Sequence, residues 1–306
     1  MSGRPLKVGV QLPEIEYVVR WPELVAMAQA AESAGFDSLW VGDHLLYRYP
    51  DGRTKGPWEA WTTLAGLAAV TRRIELGPLV AATSFHSPPM LAKLATTVDE
   101  ISGGRLILGL GAGWNEPDYS AFGFPFDRRA ARFEEAFTII RALVREGEVD
   151  FDGRFYQARE CVLLPRGPRP AGPPLMIGSL GPRVLRAALP HVDAWNAWYA
   201  WFGNDVERLG GLLAAVDETC VEMGRDPAEV ERTVTVLVRT AGGHGRDEVD
   251  EHGRSSRPLA GPAEQIADGL RAFAALGIGH VQLVVDPITR TSIEQLAPVL
   301  ALLDAD

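Results

Sequence analysis

The chain has 306 residues, 46% of them hydrophobic, and a formal net charge of −10. That length fits one large (β/α) barrel domain of ~250 residues or more, and the acidity argues against a phosphate-rich polymer as partner while leaving room for a small anion held by backbone N–H groups. Cys161 and Cys220 allow one bridge at most and have no metal-ligand spacing, Met1–Lys7 carries no apolar leader, and no apolar run approaches the ~18 residues of a membrane span, so reduced thiols in a cytoplasmic protein are expected.

Hydrophobic periodicity predicts a strand at Leu6–Leu12 and a helix at Pro22–Ser33, with Pro22 suited to a first turn. Ala31–Val41 (AESAGFDSLWV) reads as a helix end, a glycine, and a β-rich run at Asp37–Val41. Gly35 supplies the left-handed residue after the helix, and Phe36 enters the sheet. A helix at Glu59–Thr71, a strand at Ile74–Val80, a helix at Pro89–Ile101 stopped by Ser102-Gly103-Gly104, a strand at Arg105–Leu110 and a helix at Arg129–Glu146 follow. Phe151–Pro165 then interrupts the alternation; Asp152-Gly153 between β-rich residues is a hairpin signature. Strands at Leu175–Gly178, Asp193–Asn196, Thr233–Val238 and His280–Val285 alternate with helices at Pro182–Leu189, Asp205–Met223, Pro262–Leu276 and Ser292–Leu303. Ala274–Val285 (AALGIGHVQLVV) repeats the helix–glycine–strand unit, and Pro262 suits a first turn. Ala241–Ala260, rich in Gly, Arg, Asp and Glu, is expected to be an exposed loop; a mobile segment outweighs a metal reading of its His244 and His252.

Eight strands alternating with eight helices predict an α/β fold, a (β/α)8 TIM barrel, with residues 1–306 as one domain and a short hairpin insertion after the fourth helix. A doubly wound sheet is the alternative. It ordinarily opens with a Gly-rich turn after the first strand, where this chain has Pro13-Glu14-Ile15-Glu16.

Barrel chemistry sits at the C-terminal ends of strands. Those ends carry Gln11; Gly42-Asp43-His44; Leu79–His86; Gly111-Ala112-Gly113-Trp114-Asn115-Glu116; Gly178–Arg183; Trp195–Trp198; and Asp286. Glycines and aromatics with a few polar points suit a flat aromatic ligand. Gly178-Ser179-Leu180-Gly181 running into a helix suits a phosphate, although a plain tight turn needs small residues too. Asp43-His44 suits an acid/base or orienting pair, against the blander use of such a dipeptide to satisfy local backbone. A Schiff-base lysine is disfavoured, because Lys7 opens a strand, Lys93 lies in a helix and Lys55 lies in a loop. No His-x-His ends the first strand, which disfavours a metallohydrolase. Paired carboxylates stay open through Asp43, Glu116 and Asp286.

The runs Gly35–Leu45 (GFDSLWVGDHL), Leu76–Gly123, Pro173–Asn196 and Gly261–Leu283 together resemble the luciferase-like monooxygenase and F420-dependent oxidoreductase family, in order and over most of the chain. The resemblance implies a flavin- or deazaflavin-binding oxidoreductase. Asp43 would meet the ring edge and His44 would act as the catalytic acid/base toward substrate. Leu79, Val80 and Ala81 would back the ring, with a non-prolyl cis peptide at Leu79–Val80. Gly111, Gly113 and Trp114 would line it, and Gly178, Ser179, Leu180, Gly181 and Arg183 would hold the phosphate. Trp114 stands where the glucose-6-phosphate dehydrogenase branch carries a glutamate, and Arg48 where it carries a tryptophan, so a sugar phosphate is not the expected substrate.

The expected function is coenzyme F420-dependent hydride transfer to or from a small organic molecule, without a metal, in a homodimer that needs neither nucleic acid nor membrane. The alternatives are an FMN-dependent monooxygenase fed by a partner flavin reductase, and a non-catalytic cofactor-binding protein.

Overall fold

The computed structural model describes residues 3–243 and 255–305. His244 and His252 lie outside the described residues. The chain divides into two compact units, Met1–Trp40 with Ala194–Asp306, and Val41–Asp193.

In the first unit the strand Lys7–Gln11 pairs in parallel with Ser38–Trp40 on one side and with Ile278–Asp286 on the other. Glu231–Arg239 pairs next to Ile278–Asp286, and Ala194–Ala197 next to Glu231–Arg239. All these pairings are parallel, as the unbroken apolar runs require of strands buried on both faces. Polar side chains between the strands bond to one another: the Asn196 amide donates to Thr233 Oγ1 at 2.8 Å and to Gln282 Oε1 at 2.6 Å. His280 meets Ser38 Oγ at 2.7 Å, and burial holds its imidazole neutral, with the pKa pushed down to about 3.

The helices run Trp21–Ala34, Val206–Glu222 and Ala263–Ala275. Gly35 and Gly277 follow the first and third of these in the left-handed region, at φ 95° and 84°, as expected for this turn. Pro262 sits one residue earlier than expected, at the N-cap. The predicted helix Ser292–Leu303 is two helices, Arg290–Gln295 and Ala297–Asp304. Pro298 lacks the N–H that a continuous helix needs, and its ring would strike the carbonyl of Glu294.

In the second unit Leu108–Gly111 pairs in parallel with Leu175–Gly178 and with the short strand Ala81–Ala82. The predicted strand Ile74–Val80 is divided. It runs Glu75–Pro78, passes through a cis Leu79–Val80 peptide, and resumes at Ala81. The helices Ala60–Val70, Pro88–Ser102 and Arg129–Arg145 match expectation to within a residue or two. The last buries Phe133, Phe137, Ile139 and Ile140, each worth ~2 kcal/mol of apolar transfer. The hairpin is present but wider than Asp152-Gly153 implies: Glu148–Asp152 pairs with Gln157–Val162 around a turn at residues 153–156. The helix Glu116–Phe122, the small ribbon Tyr47–Arg48 with Thr54–Lys55 and the single helical turn Thr83–Phe85 were not foreseen.

Candidate active site

Asp43 and His44 leave the strand Ser38–Val41 within the second unit. Asp43 is 4% exposed, and its Oδ2 accepts the Ala82 N–H at 2.8 Å. This bond ties the second strand end to the residue that follows the expected ring-backing segment Leu79–Ala81. Burial drives the Asp43 carboxyl up to about 7; the Ala82 bond and His44 oppose that rise, while Glu59 and Asp118 add to it.

His44 is held from an unexpected quarter. Its Nδ1 lies 2.7 Å from Oδ2 of Asp118, which is fully buried, and Asp118 Oδ1 accepts the N–H groups of Leu45 at 3.0 Å and Leu46 at 2.7 Å. Burial by itself would raise the Asp118 pKa, but the hydrogen bonds from His44, Leu46 and Asn115 outweigh it and hold the carboxyl below its ordinary value. An ionised Asp118 is an acceptor, so Nδ1 carries the proton and Nε2 is the basic nitrogen of that tautomer.

Asp118 is the residue that sequence reasoning missed. The signal was Asn115 followed three residues on by an acid, the start pattern of a helix. That pattern marks a helix start but not what the acid touches. The short helix is anchored by Tyr119, which is wholly buried, donates to the Ala112 carbonyl at 3.0 Å, and packs with Ala82 and Phe85. Gly113 lies at φ 72°, and a Cβ there would overlap the Tyr119 hydroxyl. Glu59 was also missed as a contributor to the site's electrostatics; it caps its helix by accepting the N–H groups of Trp61 and Thr62.

Glycines shape the wall. A Cβ on Gly111 would stand 2.8 Å from Val80 Cγ2, and one on Gly178 would stand 3.0 Å from it. The Val80 side chain therefore reaches both strands because neither residue has a side chain. On the other side of His44 stand aromatics. The Tyr47 ring centroid is 4.7 Å from the imidazole, and Trp114, 65% exposed, is 5.4 Å away at 71°.

Asp43 meets Ala82, next in the chain after Leu79–Ala81, His44 meets Trp114, Gly113 meets Tyr119, and Gly111 and Gly178 both meet Val80. The rest of the phosphate-loop candidate is arranged differently. Gly181 N–H donates to Ser179 Oγ at 3.1 Å, and Leu180 is exposed. Arg183 is committed to Glu134 by two bonds of 2.6 and 2.5 Å rather than turned onto the loop. The carboxylate-pair alternative gains nothing: Glu116 is exposed, and Asp286 pairs with Arg239 at 3.2 Å. Among the described residues no group of three His, Cys, Asp or Glu is arranged to hold a metal ion, and no helix is long and apolar enough to cross a membrane.

The model of the luciferase-like monooxygenase family matches residues 6–255. The chain is 34% identical over 274 residues to a phthiodiolone/phenolphthiodiolone dimycocerosates ketoreductase of Mycobacterium sp. (strain JLS), covering 82% of this chain and 69% of that protein. It is 31% identical over 267 residues to an F420-dependent glucose-6-phosphate dehydrogenase of Amycolatopsis mediterranei (strain U-32), covering 85% and 76%. An F420-dependent secondary alcohol dehydrogenase, solved with an F420-acetone adduct, superposes with a TM-score of 0.80 at 19% identity over 97% of this chain and 99% of that one. The fold is therefore the luciferase-like α/β barrel. The chain belongs to the luciferase-like monooxygenase family, within its F420- or flavin-dependent oxidoreductases.

Proposed function

We propose that this protein is an F420-dependent oxidoreductase that moves hydride between the deazaflavin and a small organic molecule, and that residues 1–306 form one domain. The observation that carries the proposal is the His44–Asp118 pair set directly after the buried Asp43. The residues fit such a ring. Asp43 has one oxygen on Ala82 N–H, which leaves the other to accept from an N–H on the ring's polar edge. Leu79, Val80 and Ala81, with Gly111 and Gly113, offer a wall on which a flat ring lies close to backbone, and Trp114 adds an aromatic face. Gly178, Ser179, Leu180 and Gly181 would hold the phosphate together with the backbone N–H of Arg183, whose side chain stays on Glu134.

When bound, the deazaflavin supplies a two-electron hydride carrier. His44 Nε2 then takes the proton from a substrate hydroxyl as it is oxidised, or returns one to a carbonyl oxygen as it is reduced. Asp118 holds the imidazole in that tautomer and stabilises its charged form, while Tyr47 and Trp114 limit water on that side. Proton transfer of this kind contributes roughly a hundredfold or more to the rate.

FMN is the alternative cofactor, because flavin and deazaflavin share the edge that Asp43 would meet; that reading makes the protein a monooxygenase supplied by a partner reductase. Titration of the purified protein with F420, FMN and FAD, followed by cofactor fluorescence, decides between them. F420 is expected to bind tightest. Tighter binding of FMN, with oxygen consumed when reduced FMN is supplied, overturns the F420 reading. Tight F420 binding without turnover across a broad panel of alcohols and ketones favours a carrier protein instead. The proposal extends to a cytoplasmic homodimer.

A further inference from the structure

Trp114 is 65% exposed, yet the backbone on either side of it is tied down. The Gly113 carbonyl accepts from Arg129 at 3.1 Å, and Gly113 itself sits at φ 72° against the Tyr119 hydroxyl. On the other side the Asn115 amide donates to the Leu46 carbonyl at 2.8 Å. An exposed indole on a fixed backbone is a ready binding platform, because little freedom is lost when a ligand covers it.

Tyr47 extends the platform. Its ring centroid is 6.3 Å from that of Trp114 at 54°, and the two rings lie 4.7 and 5.4 Å from the His44 imidazole. The acid that holds His44 also places this tyrosine. Asp118 accepts the N–H groups of Leu45 and Leu46, and Leu45 packs against Ala82, Phe85 and Tyr119. Tyr47 is the next residue. One cluster, Asp118 with Asn115, therefore sets the imidazole and both aromatic rings together.

A substrate oxygen in hydrogen-bond contact with the imidazole lies about 3 Å from it. The groups on the adjoining carbon then fall within the ~4.5–7 Å over which aromatic rings attract one another in tilted or offset pairs. An indole has two faces, so Trp114 can bound the cofactor ring and still meet a second ring. A carboxylate at this position would bond hydroxyl groups, whereas an indole offers an apolar face and a single N–H donor. We propose that the substrate carries an aromatic ring beside its reacting carbon, as an aryl ketone or the matching benzylic alcohol, and that Tyr47 and Trp114 select it. The inference rests on the F420 reading above.

The test compares benzamide with cyclohexanecarboxamide, unreactive carbonyl compounds of equal ring size that differ in aromaticity. Each is titrated calorimetrically into the protein saturated with F420. Apolar area alone gives the saturated ring no disadvantage, so a preference reads the ring contacts. Benzamide is expected to bind roughly three- to tenfold tighter. The double variant Tyr47→Leu/Trp114→Leu keeps apolar bulk without the aromatic faces and should bind both amides equally. Tyr47→Phe/Trp114→Phe should keep most of the preference. The kcat/KM ratio of 1-phenylethanol to 1-cyclohexylethanol should fall by the same factor from parent to Leu variant, a comparison in which intrinsic reactivity cancels. Equal affinity for the two amides in the parent, or binding of neither, overturns the aromatic substrate and leaves the F420 reading intact. A preference that survives in the Leu variant, or is lost in the Phe variant, overturns the assignment to these two rings. Absence of F420 binding in the fluorescence titration that precedes the calorimetry overturns the F420 reading, and this inference with it.

Discussion

Asp43 and His44 are neighbours in the chain but meet different surroundings: one is buried against a backbone N–H, the other is fixed by a distant carboxylate. Their substitutions should separate accordingly. His44→Ala is expected to leave F420 affinity near the parent value and to cut the single-turnover rate about a hundredfold or more. Asp43→Ala should weaken cofactor binding more than it slows turnover at saturation. A His44→Ala protein reacting at the parent rate would make the histidine structural. Asp118→Asn should lower the rate without a comparable loss of cofactor affinity, and Asp118→Glu should restore part of it. The Asp43 carboxyl has a folded-state pKa of about 7, above its ordinary 3.8, so folding favours its neutral form. The stability this group contributes is full at acid pH and is lost as pH rises through about 7. Asp43→Asn stays neutral throughout, so the melting temperature of the parent should fall relative to this variant between about pH 4 and about pH 7 and level off above that. Parallel melting curves over that window would show that the group is not buried as described. The Asp-His pair was legible because a strand end announces it. Asp118 was not, because it lies 74 residues along the chain and local pattern says nothing about contacts across space.

At the level of elements, glycine patterns told most where they end a helix and least where they admit a neighbour. Gly35, Gly103 and Gly277 follow helices, and the left-handed turn they permit is a local matter. Gly111 and Gly178 are small because the Val80 side chain comes in from another strand. Gly113 combines both demands, with positive φ and the Tyr119 hydroxyl close against it. Gly113→Ala is expected to destabilise the protein by about 2 kcal/mol in a urea titration, from left-handed strain and overpacking together. Removing the hydroxyl should recover part of that loss, so Gly113→Ala/Tyr119→Phe should be less destabilised than the two single effects added. Strict additivity would mean that the glycine is needed for its backbone angle alone. The same distinction accounts for the hairpin, whose Asp152-Gly153 signal was sound while its wider turn depends on Glu135 reaching across from a helix. The break before Pro298 was legible in principle, since a proline there cannot continue a helix.

For the whole molecule, cofactor binding should appear as stability. A ligand that binds only the folded state at a hundredfold excess over its Kd contributes about 2.7 kcal/mol, so F420 should raise the melting temperature in step with its concentration. FMN should raise it less; the reverse order would support the flavin reading. The alternating α/β architecture and the family were determined by the sequence alone, and the strand ends on which the proposed chemistry sits could be read there too. Buried parallel strands must be apolar runs and helices must show their period, and both signals are local. The partner of His44, the near-neutral pKa of Asp43 and the entry of Val80 between glycines were decided only by the tertiary structure. Each depends on desolvation or on contacts between residues far apart in the chain, and those distances exist only once it has folded.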